Sequence, residues 1–564
     1  ENTIIGRSAG EAITTGSYNT TLGFLSGGAI TTGSSNVALG YAALDANTTA
    51  HNNTAIGTNA ASSSTTATMT VAVGKDALAS QTTGGSGAGY NTAVGGVALA
   101  NVITGYYNTA VGYAAGNAYT SNALTAVGWN SFGVCTSGGN NTGLGYRTGA
   151  ATTTGSNNTA VGSQALVANT TGVQNVAIGA NALDANTSGD LNTAVGYQTL
   201  SANTSLGANT AVGGYALHSN TAGNNTAVGY QSLYSNTSGS ENIAIGREAL
   251  NQNTTADSNS AVGYRALYLN TTGASNTAMG DSALRSNTTA SNNTAVGFSA
   301  LTANTTGDKN TAFGYLSGYS VTTGSGNTFV GGSDSGGANP AGYSVTTATN
   351  NSFFGSGAGG VVTTGSKNVI IGSYNGNEGG LDIRTSSNNV VLSDGDGNPR
   401  GVFNSTGSFH VGSPSFSFAG SSDCVQIAGN EGRINIENDT TSTAYVVAFY
   451  NTNGLVGRIS TSGSATAYNT SSDHRLKENV EAMTGATARL KQLAPKRFNF
   501  IADADTTVDG FLAHEVQSVV PEAITGTHNE VDSDGNPVYQ GIDQSKLVPL
   551  LVATIQELEA RITA

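Results

Sequence analysis

Apolar and polar positions alternate in a short pattern that repeats along most of this chain. A five-residue phrase returns throughout residues 1–375, for example as NTAVG ending at Gly95, NVAIG ending at Gly179 and NTAMG ending at Gly280. Aligned on the final Gly, the phrase occurs 22 times, and 17 of the 21 intervals between copies are 17 residues long. So constant a period excludes a flexible linker and indicates the stacked coils of a solenoid.

Each repeat unit predicts two very short strands and two tight turns. Asn stands four positions before the Gly in 20 copies, the exceptions being Thr70 and Leu124, and the residue before the Gly is always apolar. This alternation is typical of a strand that faces two environments. The second half of the unit has one apolar residue, usually Leu, before an N-T-T-G turn. We expect successive Asn side chains to form a hydrogen-bonded ladder, with Gly supplying a positive φ at the corner.

A unit of this size cannot bury its own apolar face, so it must stack on its neighbours. Because neighbouring strands lie about 4.8 Å apart, the 22 coils predict a rod on the order of 100 Å long. Each coil supplies only two or three buried side chains, so we expect three chains to share a core. The predicted fold class is therefore mainly β, with a trimeric parallel β-roll or solenoid rod of 17-residue repeats.

Two further regions follow the rod, which gives a predicted division into residues 1–375, 376–471 and 472–564. The middle region carries alternating strands with turn signals, including a hairpin turn at Asn453 and Gly454, and indicates an intertwined β-rich shaft or knob. The last region has the composition of a small α/β domain. Its final segment predicts a short coiled-coil helix, because its apolar residues are spaced alternately by three and four: Val548, Leu551, Ile555, Leu558 and Ile562.

Composition and charge narrow the possible partners. The formal net charge of −14 argues against binding to nucleic acid or to an anionic membrane surface. Membrane insertion is not expected either, because no apolar run approaches the length of a membrane span. Cys135 and Cys424 fall in different predicted domains, so we expect small buried side chains rather than a disulfide framework.

Several features have both a functional and a plain structural interpretation, and we predict no cofactor or metal for any of them. The sets Asp394, Asp396, Asn398 and Asp532, Asp534, Asn536 resemble the opening of calcium loops, but neither has Glu at the twelfth position, which favours plain turns. The period breaks at residues 75–94 and 332–354, where insertions form candidate contact loops or tolerated loop growth. Trp129 could serve as a platform for a sugar or pack as an ordinary side chain. We expect His474 and His514 to be structural.

The repeats and the C-terminal motifs each resemble a known family. The NTAVG and NVAIG phrases resemble the head repeats of trimeric autotransporter adhesins, which implies a left-handed parallel β-roll in a bundle of three chains. SSDHRLKENV, FLAHEVQSVVPEAI and GIDQSKLVPLLVATIQELEARI resemble the C-terminal intramolecular chaperone domain of bacteriophage tailspikes and tail fibres of the endosialidase type. The second resemblance covers residues 472–564.

The chaperone resemblance implies a self-cleaving domain that trimerises and templates folding of the fibre. Carried onto this sequence, the nucleophile is Ser472, the general base is Lys477 and the scissile bond joins Ser471 to Ser472. A Ser hydroxyl needs an adjacent base, and Lys acts as one only when burial or nearby positive charge, such as Arg475, lowers its pKa. The alternative is that Ser472 caps a helix on which Lys477 is solvated.

The order of rod, knob and chaperone favours a homotrimeric viral tail fibre or tailspike. Its expected partners are a host cell-surface receptor, glycan or protein, and other virion tail proteins; it would be made in the host cytoplasm and act extracellularly on the virion. No activity beyond intramolecular autoproteolysis is expected. One alternative is a host-polysaccharide depolymerase, disfavoured by sparse carboxylates in residues 1–471. Another is a bacterial trimeric surface adhesin, disfavoured by the lack of C-terminal membrane-anchor strands.

Overall fold

The structure is a computed structural model that describes residues 1–82, 89–333, 337, 339–405, 407, 409–412, 424–428, 433–437, 444–451, 454–462 and 464–564. The chain divides into two compact units, Glu1–Val446 and Val447–Ala564. The first is dominated by a parallel β-solenoid, and the second combines antiparallel strands with a small α/β domain. The mainly β fold class predicted from the repeat is therefore confirmed.

Each of the 22 repeat copies forms one three-residue strand, which begins directly after the position of the repeat Asn. Successive strands pair in parallel and in register, so that Ala160 lies beside Ala177 and Val161 beside Ile178. The strands are β1 Thr3–Ile5, β2 Thr20–Leu22, β3 Val37–Leu39, β4 Thr54–Ile56, β5 Val71–Val73, β6 Thr92–Val94, β7 Thr109–Val111, β8 Thr125–Val127, β9 Thr142–Leu144, β10 Thr159–Val161, β11 Val176–Ile178, β12 Thr193–Val195, β13 Thr210–Val212, β14 Thr226–Val228, β15 Ile243–Ile245, β16 Ser260–Val262, β17 Thr277–Met279, β18 Thr294–Val296, β19 Thr311–Phe313, β20 Thr328–Val330, β21 Ser352–Phe354 and β22 Val369–Ile371.

Two Asn ladders run through the core of the solenoid. The backbone N–H of Asn175 donates to Asn158 Oδ1 (3.0 Å), and Asn175 Oδ1 accepts the N–H of Asn192 (3.0 Å). Asn175 Nδ2 donates to the carbonyl oxygen of Gly189, three residues before Asn192 of the next coil (2.8 Å). In the second ladder, formed by the Asn of the N-T-T-G turn, Asn186 Nδ2 donates to Asn169 Oδ1 (2.9 Å). The predicted Asn ladder is confirmed, and it gives these buried amides the partners that burial requires.

The second half of each coil is a turn and not the second strand that we predicted. Its core residue, such as Leu166 (φ 57°) or Leu183 (φ 53°), is fully buried with a left-handed backbone. That conformation is unfavourable for a residue with a Cβ, whereas burying a Leu side chain contributes about 1.5–3 kcal/mol. Apolar burial therefore offsets local strain here, and a propensity argument alone does not reveal it.

The repeat Gly is fixed by both backbone conformation and space. Gly179 has φ 135°, and a Cβ built on it would lie 2.3 Å from the carbonyl oxygen of Gly196 in the next coil. Only a residue without a side chain allows coils to stack this closely.

The solenoid has one coil more than the sequence pattern identifies. Strand β25 (Val390–Ser393) pairs in parallel with β22, and the N–H of Asn389 extends the ladder by donating to Asn368 Oδ1 (2.9 Å). Ser393 takes the place of the repeat Gly in this coil, which is why the alignment misses it. The strand that follows is antiparallel, so Ser393 ends the run of stacked corners.

The remaining strands are mostly antiparallel, with β25 to β29 pairing in sequence order. Strands β30 to β32 form one sheet, and β33–β34 and β35–β36 form two hairpin-like pairs. Their bounds are β23 Asn377–Glu378, β24 Leu381–Asp382, β26 Pro399–Phe403, β27 Phe409–Gly412, β28 Cys424–Ala428, β29 Arg433–Glu437, β30 Ala444–Asn451, β31 Gly454–Ser462, β32 Ala465–Thr470, β33 Lys496–Phe500, β34 Asp503–Gly510, β35 Ile524–Thr525 and β36 Gly541–Ile542. The helices are α1 Ala486–Leu490, α2 Ala513–Gln517 and α3 Val548–Thr563.

The α/β domain has a small core for its length. Helix α3 turns Leu550 and Thr554 inward, whereas the residues of the predicted coiled-coil seam are exposed in the single chain. The fully packed members of its core are Ala486, Val516, Val519, Val520, Ala523, Leu547 and Leu550. An exposed apolar seam beside a small core is the arrangement expected when further copies complete the packing.

Some expectations lie partly outside the described residues, and the three-part domain division stays a prediction. Asn453 of the hairpin turn, residues 83–88 and 334–336 of the two insertions, and the side chain of Cys424 are among them. Cys135 is buried as predicted, and burial raises the pKa of its thiol to about 11. A thiol held protonated in this way is a poor nucleophile.

Candidate functional site

The predicted scissile bond lies directly after the last strand of the β30–β32 sheet. Gly457 of β31 is paired with Thr470 at the end of β32. Ser471 continues this attachment, because its N–H donates to the carbonyl oxygen of Val456 (3.1 Å) and its Oγ donates to that of Leu455 (2.7 Å). The residue that supplies the carbonyl of the bond is therefore held by strand β31.

A short 3₁₀ turn, His474–Leu476, brings Lys477 back to Ser472. Asp473 caps this turn by accepting the N–H of Arg475 (2.9 Å), and the turn closes where the N–H of Lys477 donates to the carbonyl oxygen of His474 (3.0 Å). Lys477 Nζ then donates to Ser472 Oγ at 2.7 Å. The structure thus brings the two predicted site residues into direct contact, while their catalytic roles stay a prediction.

The electrostatic role considered for Arg475 does not fit its contacts. Its guanidinium group forms a two-pronged ion pair with Asp473, with Nε–Oδ1 at 3.0 Å and Nη2–Oδ2 at 2.7 Å. This pairing lowers the pKa of the Asp473 carboxyl and commits the Arg475 charge to it. Arg475 therefore helps to shape the turn, and it is not an unpaired cation beside Lys477.

Ser472 and Lys477 are both exposed, beside a shallow cleft that is lined by residues of β31 and the end of β32. Burial is one of the two conditions under which a Lys amine becomes a base near neutral pH. The single chain does not supply that burial. One chain therefore brings Lys477 Nζ and Ser472 Oγ together but leaves both side chains exposed to water.

Sequence reasoning missed the contributions of Ser471 and Asp473. Asp473 carries a recognisable signal, since an acidic residue directly before a short helical turn is a common cap. The Ser471 hydroxyl carries none, because its partner Leu455 lies 16 residues away and is known only once the hairpin is formed.

The other candidate residues have structural contacts. His514 packs against His528, with 4.4 Å between ring centroids, and Trp129 stacks on Tyr146 at 5.2 Å. The carboxylate of Asp394 accepts the N–H of Asn398 (2.9 Å), and Asp532 accepts that of Asn536 (2.9 Å), so both acidic runs are closed turns. Within the described ranges, no group of three or more His, Cys, Asp or Glu side chains is placed to hold a metal ion.

An exposed apolar stripe runs along the rod. It consists of the third residue of each strand, because the middle residue points into the coil and the third points out. We call it the strand stripe; its most exposed members are Ile5, Leu22, Leu39, Val111, Leu144, Ile178, Val228, Ile245, Met279, Phe313, Phe354 and Ile371. So long an apolar surface on one chain is typical of a surface that another protein chain covers.

Comparison with known families identifies one region of the chain. The family described as Chaperone of endosialidase matches residues 472–525, so that the match begins at Ser472. Comparisons with curated proteins and with solved structures gave no match. In the part of the chain that the structure describes, no helix is both long and apolar enough to cross a bilayer. The C-terminal region, which follows the β-solenoid, is thus similar to an intramolecular chaperone. This similarity implies assembly of three chains.

Proposed function

We propose that three copies of this chain form a viral tail fibre or tailspike that attaches to a host surface, and that residues 472–564 are a chaperone released by cleavage before Ser472. The observation that carries the proposal is the 2.7 Å contact between Lys477 Nζ and Ser472 Oγ, at the residue where the chaperone-family match begins.

The proposed cleavage uses Lys477 in its neutral form. Its amine takes the proton of the Ser472 hydroxyl, and Oγ attacks the carbonyl carbon of Ser471. The bond between that carbon and the Ser472 nitrogen breaks as the nitrogen receives the proton, which leaves an ester that water hydrolyses. The hydrogen bonds from Ser471 to β31 hold the carbonyl group in place for this attack.

The exposure of the dyad supports coupling between cleavage and assembly. Packing of neighbouring chains over Ser472 and Lys477 would remove water from two side chains that are exposed in the single chain. The strand stripe and the exposed seam of α3 each provide apolar surface through which chains could associate. Cleavage would then follow assembly and would not precede it.

A chaperone is useful to this rod because its coils are nearly equivalent. Shifting one chain by a whole coil preserves most strand pairs and stripe contacts, so three chains can assemble in several registers. A C-terminal clamp with its own unique contacts selects one register. After its removal the product is kinetically trapped, because the three assembled chains no longer shift from one register to another.

Three variants test the cleavage. Wild type should give two bands on a denaturing gel, whereas Ser472→Ala and Lys477→Arg should each stay full length, since Arg keeps the charge but cannot give up a proton. Ser464→Ala removes an exposed hydroxyl from the turn between β31 and β32 and should cleave like wild type. Cleavage of the Ser472→Ala variant at an unchanged rate would contradict the assignment.

Mass spectrometry of purified virions tests the assembly role. Peptides from residues 1–471 should be present and those from 472–564 should be depleted. A particle that lacks the rod altogether would contradict the tail-fibre proposal, even if the isolated chain cleaves itself.

A further inference from the structure

Five aromatic side chains converge on the surface of three consecutive coils. We call this set the aromatic patch; it consists of Tyr197, Tyr215, His218, Tyr230 and Tyr234. The Tyr215 ring lies edge-on to Tyr197 (centroids 5.3 Å apart) and to Tyr230 (6.0 Å). It also contacts His218 (5.9 Å) and Tyr234 (6.3 Å), and the last two stack at 5.0 Å with an angle of 12°.

The patch depends on a local departure from the repeat. In ten of the 22 repeat copies, an aromatic residue is found at the first position after the repeat Gly, and some pairs from successive coils stack, as Phe298 and Tyr315 do at 5.5 Å. The coil after Gly213 has Gly214 at that position and Tyr215 at the next one. Tyr215 therefore stands between the rings of the preceding and following coils and crosses both nearly at right angles.

Contact between copies of the rod does not account for this clustering. A surface shared by stacked, equivalent coils draws on the same positions in every coil, as the strand stripe does. The second and fifth positions after the Gly, which supply Tyr215, His218 and Tyr234, bear other residue types in the neighbouring coils, such as Gln198 and Ser201. Among the described coils, this cluster of five rings occurs once, which indicates a ligand that binds once.

The chemistry of the patch fits an uncharged, hydroxyl-rich ligand. Tyr combines a large apolar ring with a polar tip and loses little conformational entropy on binding. Tyr197 and Tyr230 are each 46% exposed, while burial against the neighbouring rings raises the pKa of the Tyr215 hydroxyl and keeps it a hydrogen-bond donor. Gln198 and Gln231 follow Tyr197 and Tyr230 in sequence and are half-exposed, so their amides add donors and acceptors to these coils.

The spacing of the coils adds a geometric argument. Coils stacked about 4.8 Å apart present their rings at intervals close to the length of one pyranose unit. A sugar chain lying along the rod would meet rings from three coils with consecutive residues. The apolar faces of the sugars would pack on the rings, and their hydroxyl groups would bond to the phenols and amides.

We propose that the aromatic patch binds a neutral, hexose-containing glycan chain that lies along the rod. This inference rests on the proposed attachment function and names the receptor chemistry and its site.

The test uses a microarray of bacterial surface polysaccharides and their hexose oligosaccharides, probed with the labelled full-length chain carrying Ser472→Ala. Wild-type patch sequence should bind neutral hexose polymers, and Tyr215→Ala with Tyr230→Ala should weaken binding at least tenfold. Phe298→Ala with Tyr315→Ala, which removes a stacked pair elsewhere on the rod, should leave binding unchanged. Circular dichroism of each variant should match that of the parent.

Binding that survives in the patch variant, binding to acidic glycans alone, or no glycan binding overturns the proposal. The attachment function is checked separately by labelling intact bacteria with the same protein. Protein that coats cells but ignores the glycans would refute the patch and leave attachment standing. Protein that binds neutral glycans through the patch but coats no cells would refute the attachment function and leave the glycan site standing.

Discussion

Single residues determine whether these coils can stack, and the clearest case is the buried Asn of the repeat. Asn175 uses its N–H, Nδ2 and Oδ1 in three separate hydrogen bonds that join three successive coils. No other side chain of this size both donates and accepts at the required positions without bringing a charge into the core. The ladder position therefore requires the hydrogen-bonding groups of Asn as well as its size.

We predict that Asn175→Ala destabilises the rod by about 2 kcal/mol, because the buried N–H of Asn192 loses its acceptor and the carbonyl oxygen of Gly189 keeps only the hydrogen bond from Asn186 Nδ2. Urea unfolding followed by circular dichroism measures the change. Thr171→Ala, an exposed substitution in the preceding turn, serves as the control and should be neutral. Equal stability of the two variants would show that the ladder is not a source of stability.

The residue scale is also where sequence reasoning succeeded and failed most clearly. The ladder was predictable because Asn recurs at a fixed spacing and can only bond along the stack. The left-handed backbone of Leu166 was not, because burial in the folded coil outweighs local preference there. The last coil was missed because Ser393 occupies the Gly position, and it is tolerated because no parallel coil follows.

At the scale of elements, the short helices of the α/β domain depend on contacts from distant parts of the chain. Helix α1 has only five residues, and Glu557 of α3 satisfies its N-terminus. The N–H groups of Ala486 and Thr487 donate to the carboxylate at 2.7 and 2.8 Å, and the Thr487 hydroxyl donates at 2.6 Å. One carboxylate thus fixes the position of α1 on α3.

These contacts predict a pH-dependent effect of Glu557→Ala. The Thr487 hydroxyl, followed by the backbone N–H groups, lowers the pKa of Glu557 below its usual 4.5. Its contribution is therefore fully present above pH 4.5 and is lost as the pH falls through the depressed folded pKa. At pH 7 the variant should show several-fold faster amide exchange at Ala486 and Thr487, and the difference should shrink as the pH falls below 4.5.

The measurement uses the full-length Ser472→Ala chain, so that the domain stays attached. Glu559→Ala, an exposed carboxylate on the same helix, is the matched control and should behave like the parent at every pH. A constant difference between Glu557→Ala and the parent from pH 3 to 7 would show that the carboxylate does not act through its charge.

The site of cleavage was also only partly predictable at this scale. The Ser472–Lys477 pair came from a family resemblance, and the turn that closes it came from Asp473, whose capping role is readable in the sequence. The hold of β31 on Ser471 depends on hairpin register, which the local sequence does not fix. Arg475 was misjudged because its ion pair with Asp473 appears only in the folded turn.

For the whole molecule, the central question is what covers the strand stripe. A single chain leaves apolar side chains exposed over the length of the rod, and a second apolar row is exposed on α3. In a trimer, each row would offer apolar surface for the copies to bury. Stability of the assembled rod then depends on association as well as on the stacking within each chain.

We predict that Ile178→Asp with Ile245→Asp prevents assembly, because six carboxylates would be forced into one apolar interface. Light scattering on the uncleaved Ser472→Ala chain should give three times the 56.2 kDa chain mass, and the stripe variant should give a single chain mass. Ser188→Asp with Ser238→Asp adds the same charge at exposed turns of nearby coils and should still assemble. A compact monomer for the parent chain would contradict both the trimer and the clamp.

The close approach of each repeat Gly to the next coil has a consequence for how such proteins change in length. Since every coil offers its successor the same surface, copying or deleting one unit of coding sequence leaves all other contacts intact. The length of the solenoid can therefore grow or shrink in steps of about 4.8 Å while residues 472–564 stay unchanged. Coils can be added one at a time, and each adds the same increment of length.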